Sequence, residues 1–481
     1  MCIKKVGVAL SLFSLFLGQF AFAQAFRPDP VYEDTPYSAG EQQKIYGGKH
    51  ANPTARPLIE LGRPLYREGP YAPAHAWLGR KNLLFPNMTA FGDWRTAAAA
   101  NNNGKGVQGV VATRVNLELD ANLTATERVH ALIRPFDRNG VLTHWTFQEN
   151  KETQALAFLD FQPQTLFFEG DAARMWEGAS ARENFASLPF AGGLIPLVIQ
   201  NGIWLNAAFD GVAFTIPARS SRLLDISNMD LTFFAGFDNV KSAAVVDAAG
   251  TVDAHSAQIF GAAAFIEAGL GYWELDYGYT SAVAERRRTG QSYHNISAAF
   301  TRRYFNLISN SARVIWNFGQ ALPQGKRTAD GFLLLLENSF ATRKPYTLVP
   351  YVNLFAGFDR PQALARDAGG VLDNTGILFQ TDNLTGFPTL DDTGRDTWGA
   401  AAGLEYLFSL NQQLVVEAAE LNVINGLNRT PRPAKGSELG VEVRYQLPLN
   451  NAWLIRAEAM GAQRQFDSNI NGLRLEVRRK F

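Results

Sequence analysis

From about residue 91 the chain is a succession of short runs in which apolar and polar positions alternate, divided by Gly, Asn, Asp and Pro. Across residues 111–120 one face holds Val111, Val115, Leu117 and Leu119, and the other holds Arg114, Asn116, Glu118 and Asp120. Residues 439–447 set Leu439, Val441, Val443, Tyr445 and Leu447 against Gly440, Glu442, Arg444 and Gln446. Trp453, Ile455, Ala457 and Ala459 oppose Arg456 and Glu458, and Trp273, Leu275, Tyr277 and Tyr279 oppose Glu274 and Asp276. A period of two predicts strands with two unlike faces. Alternation alone also suits a soluble sandwich.

Two features of these runs select a closed antiparallel transmembrane β-barrel, an all-β fold. Charges of both signs recur well inside the runs, which a water-filled lumen tolerates. Tyr, Trp and Phe gather near their ends, as in Trp398 with Tyr406 and Phe408, where interfacial girdles place them. The physical reason for closure is that every backbone N–H and C=O in hydrocarbon must be paired internally, and a closed sheet has no edge.

The N-terminus sets the compartment. Lys4 and Lys5 precede an apolar run at 6–17, and Ala21-Phe22-Ala23 offers a small-x-small cleavage site. Residues 1–23 therefore predict a signal peptide cleaved near Ala23. The one cysteine, Cys2, lies before the apolar run and would leave with it. Residues 24–90 carry nine of the 22 prolines together with several Tyr and Trp77, which predicts an extended or irregular extension, periplasmic or luminal. Residues 91–481 are assigned to the barrel.

Connection lengths predict the topology. Short links fall at 121–128, 268–270, 303–307, 343–346, 409–413 and 448–451; long polar ones at 136–154, 239–255, 282–291, 319–329, 359–395, 425–436 and 464–469. Short periplasmic turns and long outer loops can be threaded if 155–171 is one long strand and 172–188 lies on the periplasmic side, as a short helix. The count is about 18 strands, within 16–18.

Composition removes other classes. Lys+Arg and Asp+Glu are both 45, so the net charge is zero, without the basic excess that nucleic-acid binding requires. Six scattered histidines show no metal-ligand spacing, and no nucleophile motif or phosphate loop is complete. No enzyme, cofactor or metal is expected; His294 near Ser292 and Ser297 is the nearest approach to a hydrolytic pair. The inward-facing set predicted to line the pore is Arg114, Glu118, Asp120, Glu274, Asp276, Arg303, Arg313, Glu405, Glu442, Arg444, Arg456, Glu458, Arg474, Glu476 and Arg478. Its signs nearly balance, which favours small polar solutes. Gln200, Asn201, Trp204, Asn206 and Asp210 are candidates for a constricting loop at 201–208. The 359–395 loop and its flank are acidic, and would favour cations if folded inward.

Two resemblances follow from motifs. Residues 473–481, alternating and ending in Phe481, resemble the C-terminal signature of Gram-negative outer-membrane proteins, which implies recognition by the barrel assembly machinery. Residues 193–202, followed by Phe209-Asp210-Gly211-Val212 and residues 231–236, resemble the constricting-loop passage of the alginate-export-type outer-membrane family, with Leu194 and Ile195 where that family has Arg and Gln. The expectation is an outer-membrane channel of a Gram-negative bacterium passing small polar solutes, in contact with lipid, with a homo-oligomer left open. An exopolysaccharide export conduit, and a plugged barrel with a structural or hydrolase role, stay open as alternatives.

Overall fold

The computed structural model describes residues 57–62, 74–77, 82–138, 140–148, 151–183, 186–247, 250–283, 290–343, 347–408, 412–424 and 436–481. The signal-peptide reading and most of the Pro-rich segment lie outside these residues.

Eighteen lanes of strand form the wall: β1 (Asn87–Asn102), β2 (Val107–Asn122), β3 (Arg128–Ile133 and Val141–Gln148), β4 (Gln154–Leu156 and Pro163–Asp171), β5 (Pro189–Ile199), β6 (Leu205–Ser221), β7 (Ile226–Asp238), β8 (Ala257–Ala268), β9 (Gly271–Ala282), β10 (Tyr293–Tyr304), β11 (Ile308–Phe318), β12 (Phe332–Phe340), β13 (Leu348–Phe358), β14 (Thr397–Phe408), β15 (Gln412–Val423), β16 (Glu438–Pro448), β17 (Trp453–Arg464) and β18 (Ile470–Lys480). Each pairs antiparallel with its sequence neighbours, and β1 pairs with β18 to close the sheet. Phe481 completes the seam by exchanging backbone hydrogen bonds with Gly92 at 2.8 and 3.0 Å. The closed, 18-stranded reading of the sequence therefore holds. Among the described residues no helix is long and apolar enough to cross a membrane.

The pleat separates the faces as the alternation predicts. Leu473 and Leu475 are 55% and 50% exposed, whereas Arg474 and Glu476 between and beside them are 6% and 0% exposed. Apolar side chains thus stand outward, and ionic ones are enclosed. The short links occur where the sequence placed them, and α1 (Ala172–Ser180) follows β4, its N-terminus capped by Asp171, which accepts from the N–H groups of Ala173 and Arg174.

Two expectations need correction. Residues 136–154 are not one loop: Val141–Gln148 pairs with β2 inside that range. Nor is 155–171 one strand, because 157–162 leaves the ladder between the two pieces of β4. The cause is an excursion at 134–140, where Asp137–Arg138 folds back on Val141 and Leu142 and Pro135 accepts a hydrogen bond from the Asp160 N–H. Pro163 follows the break, and the run Phe158-Leu159-Asp160-Phe161 alternates well enough to hide it. The barrel also begins at Asn87, a few residues before the predicted boundary, and Ile59–Gly62 pairs with its first turn of strand.

Candidate functional site: the constricted lumen

Two segments fold into the bore. The first is the tip of the β5–β6 hairpin. Beyond Leu194, β5 pairs only with β6, and before Asp210, β6 pairs only with β5 and the two-residue strand Ala365–Arg366. The departure point is the cross-strand pair Gly193–Gly211. Gly193 has φ +125, and a side chain at Gly211 would place Cβ 2.1 Å from the Ala235 carbonyl oxygen. Only glycine supplies that close approach and that backbone conformation. Gly211→Val is expected to cost about 1–3 kcal/mol and to shift the urea midpoint of the refolded barrel downward; an unchanged midpoint would show that the bend does not depend on this glycine.

The tip is apolar where it meets the wall. Ile195, Ile203, Trp204, Leu205 and Phe209 are buried. Trp204 donates from Nε1 to Asn295 Oδ1 at 2.9 Å, Gln200 Nε2 donates to Asp276 Oδ2 at 2.5 Å, and Ser297 donates to Gln200 Oε1 at 2.8 Å. The hairpin is thus bolted to β9 and β10 inside the barrel.

The second segment is the long connection 359–396. Leu364, Leu372, Leu378, Phe379 and Leu390 are buried and join the hairpin tip in one apolar cluster within the bore. Around this cluster the loop is moored to the wall at many points. Asn295 and Asn317 donate to the Gln362 carbonyl at 2.9 and 3.1 Å, Asn353 donates to that of Thr375 at 2.5 Å, and Asn101 donates to that of Thr385 at 2.8 Å. Glu417 accepts from the N–H groups of Ile377 and Leu378 at 3.0 and 2.9 Å.

The loop folds inward, but its acids are spent on its own architecture. Asp382 accepts from the N–H groups of Leu384 and Thr385, Asp373 pairs with Arg366 at 2.9 Å, Asp391 accepts from the Thr393 N–H, and Asp392 accepts from the Gly370 N–H. Burial raises the pKa of Asp382, but Arg474 and the Thr385 donors outweigh it and hold the carboxyl below the usual range. A free acidic vestibule is not what these side chains form.

All fifteen residues read as inward-facing lie on the enclosed face of their strands. Most are paired. Arg474 contacts Glu458 and Glu476 and lies 3.4 Å from Asp382; Arg95 holds Glu476 through two hydrogen bonds of 2.8 and 2.9 Å; Arg478 pairs with Asp93 at 2.7 Å; Arg114 pairs with Asp137 at 3.0 Å; and Arg313 pairs with Glu337 at 2.6 Å. Two arginines bond amides instead: Arg456 to Gln446 at 3.0 Å and Arg134 to Asn116 at 3.0 Å. Arg134 also lies within the field of Arg114, of Asp137, of Asp367 of the inward loop and of Arg95.

The constriction candidates divide. Gln200 and Trp204 are buried anchors, while Asn201 is exposed with its carbonyl accepting from Asn374 at 2.7 Å. Asn206 and Asp210 are half-buried, and Asp210 accepts from Asn239. Residues 205–208, expected in a loop, are strand. Arg95 and Arg134 were missed: Arg95 sits in an alanine-rich run whose alternation is faint, and Arg134 sits in the excursion, where no period exists. The His294–serine pair does not assemble. His294 Nδ1 bonds the Tyr277 hydroxyl at 2.8 Å on the outer face, Ser292 accepts from the Ala282 N–H, and Ser297 is buried inside with Gln200. Among the described residues no three His, Cys, Asp or Glu side chains are arranged to hold a metal.

No protein-family model matches the chain, and no curated protein matches it in sequence. Solved structures do share its architecture. Pseudomonas aeruginosa OccK5 (OpdH) is 11% identical, with 82% of this chain and 98% of that one covered and a TM-score of 0.51. The outer membrane protein OpdK of the same organism is 12% identical, with 82% and 98% covered and a TM-score of 0.51. OccK2 (OpdF) of that organism, solved with glucuronate, is 10% identical with the same coverage and a TM-score of 0.50. The closed 18-stranded fold is therefore shared with these solved structures, among them the outer membrane protein OpdK. This overturns the alginate-export-type resemblance of residues 192–240. The glycines and alternating apolar residues that carried it are what any inward-bending hairpin requires.

Proposed function

We propose that the chain is a narrow channel of the Gram-negative outer membrane through which small polar solutes pass passively. The observation that carries this reading is the bore itself: an ion-lined lumen entered by a hairpin and a loop that are both hydrogen-bonded to the wall. OpdK has been solved with vanillate and OccK2 with glucuronate, both small carboxylates. Arg134 and Arg456, bonded to amides, would offer such a solute guanidinium groups without breaking an ion pair. Around these two arginines many wall carboxylates are paired with other arginines, so the local field there favours anions although the formal charges of the whole lumen nearly cancel. Lipid would surround the apolar face, with the assembly machinery engaging β18 and Phe481, and contact between copies of the chain is left to the wall. A polymer conduit would require the moored loop to move as a body.

The test is conductance of the refolded protein in planar bilayers under a salt gradient. A reversal potential on the anion side is expected, moving toward zero in the Arg134→Gln/Arg456→Gln double variant. A cation-side potential in the unaltered protein would overturn the anion preference, and absence of current would overturn the channel.

A further inference from the structure

Many large apolar side chains on the enclosed face are packed into the luminal cluster, whereas two rings of neighbouring strands stay open to the bore. Phe265 of β8 and Tyr272 of β9 are 40% and 46% exposed. Their inward orientation follows from the register: Phe265 pairs with Glu274 and Asp230, and Tyr272 shares the face of Glu274, Asp276 and Gly278, the last of which abuts Leu364 of the inward loop. The rings lie 5.6 Å apart at 21°, forming one offset-stacked surface. The platform stands at the foot of the constriction, on the short-turn side, because Gln200 of the hairpin tip bonds Asp276, and Glu274, the cross-strand partner of Phe265, lies two residues nearer the β8–β9 turn on the same face.

An aromatic pair left open to an aqueous bore costs hydration free energy that packing elsewhere in the lumen avoids. Its surroundings state what could cover it. Asp230 and Glu274 flank Phe265 along the ladder, while Glu267 and Thr301 flank Tyr272. These are hydrogen-bond acceptors and a hydroxyl placed around the edge of a flat apolar surface. A carboxylate would be repelled here. A sugar ring fits: its axial C–H groups carry partial positive charge and sit on the negative ring faces, while its equatorial hydroxyls donate outward to acceptors at the edge.

We infer that Phe265 and Tyr272 form a stacking subsite for an uncharged sugar ring below the constriction. This rests on the lumen being a solute path, so the test separates the two. Glucose added from the short-turn side is expected to produce excess open-channel noise, with a residence time that falls about tenfold in Phe265→Ala/Tyr272→Ala and persists in Tyr272→Phe. Saturation-transfer NMR on the detergent-solubilised protein reads the same contact without current: glucose ring protons are saturated in the unaltered protein and in Tyr272→Phe, and not in the double variant. A conducting channel with neither noise nor saturation transfer overturns the subsite, as does equal residence in the double variant. Saturation transfer without conductance leaves the subsite standing and removes the channel.

Discussion

Excising residues 373–391 and joining Leu372 to Asp392 through two glycines is expected to raise single-channel conductance severalfold and to abolish discrimination among solutes. The excision is geometrically permitted because the ends already meet: the Leu372 N–H donates to the Asp392 carbonyl at 2.9 Å, and the Gly370 N–H donates to the Asp392 carboxylate at 2.6 Å. What is removed is the part of the loop that reaches across to Glu417, Asn101 and Arg474. A barrel of about 18 strands leaves an aqueous channel when nothing folds into it, so the segment rather than the wall sets the open area. Conductance unchanged within a factor of about two would show that the hairpin tip alone is limiting.

Arg474→Met is expected to destabilise the barrel by about 3–5 kcal/mol. The guanidinium sits among Glu458, Glu476 and Asp382, with Glu476 fully buried and Glu458 4% exposed. Removing the cation leaves carboxylates enclosed beside one another, and such groups gain little from water they cannot reach. Arg95 still holds Glu476 and Arg444 still pairs with one Glu458 oxygen at 2.5 Å, so the loss is centred on the other Glu458 oxygen and on the mooring of the loop. The urea midpoint of the refolded protein should fall accordingly, while Asp382→Asn, which unlatches only the loop, should shift it far less. Equal shifts would mean that the loop latch, and not the wall network, is what Arg474 supports.

The wall was legible in the chain because its cause is local. A pleat sends successive side chains to opposite sides, so Leu439, Val441 and Val443 against Glu442 and Arg444 state which face meets lipid before any partner strand is known. The enclosed positions of Arg474 and Glu476 and the positions of the short links followed from that period. Where the period fails, reading fails with it. The excursion at 134–140 hid Arg134, and the alternating look of residues 157–162 concealed a break that exists only because Pro135 and Asp160 meet.

The lumen was far less readable. Gln200 and Trp204 were recognisable as belonging to a constriction, but their role as buried bolts depends on Asp276, Asn295 and Ser297, some 76 to 97 residues away in the chain. The acidic loop looked like a charged vestibule because composition counts carboxylates without seeing that backbone N–H groups and Arg366 consume them. By itself the sequence determined a closed two-faced barrel with a polar interior, since strand period and backbone pairing in lipid are set by neighbours along the chain and by the solvent. Tertiary structure decided which charges remain available, how far the bore is narrowed and which rings stay bare. Those properties arise from contacts between lanes far apart in sequence, and no periodicity records them.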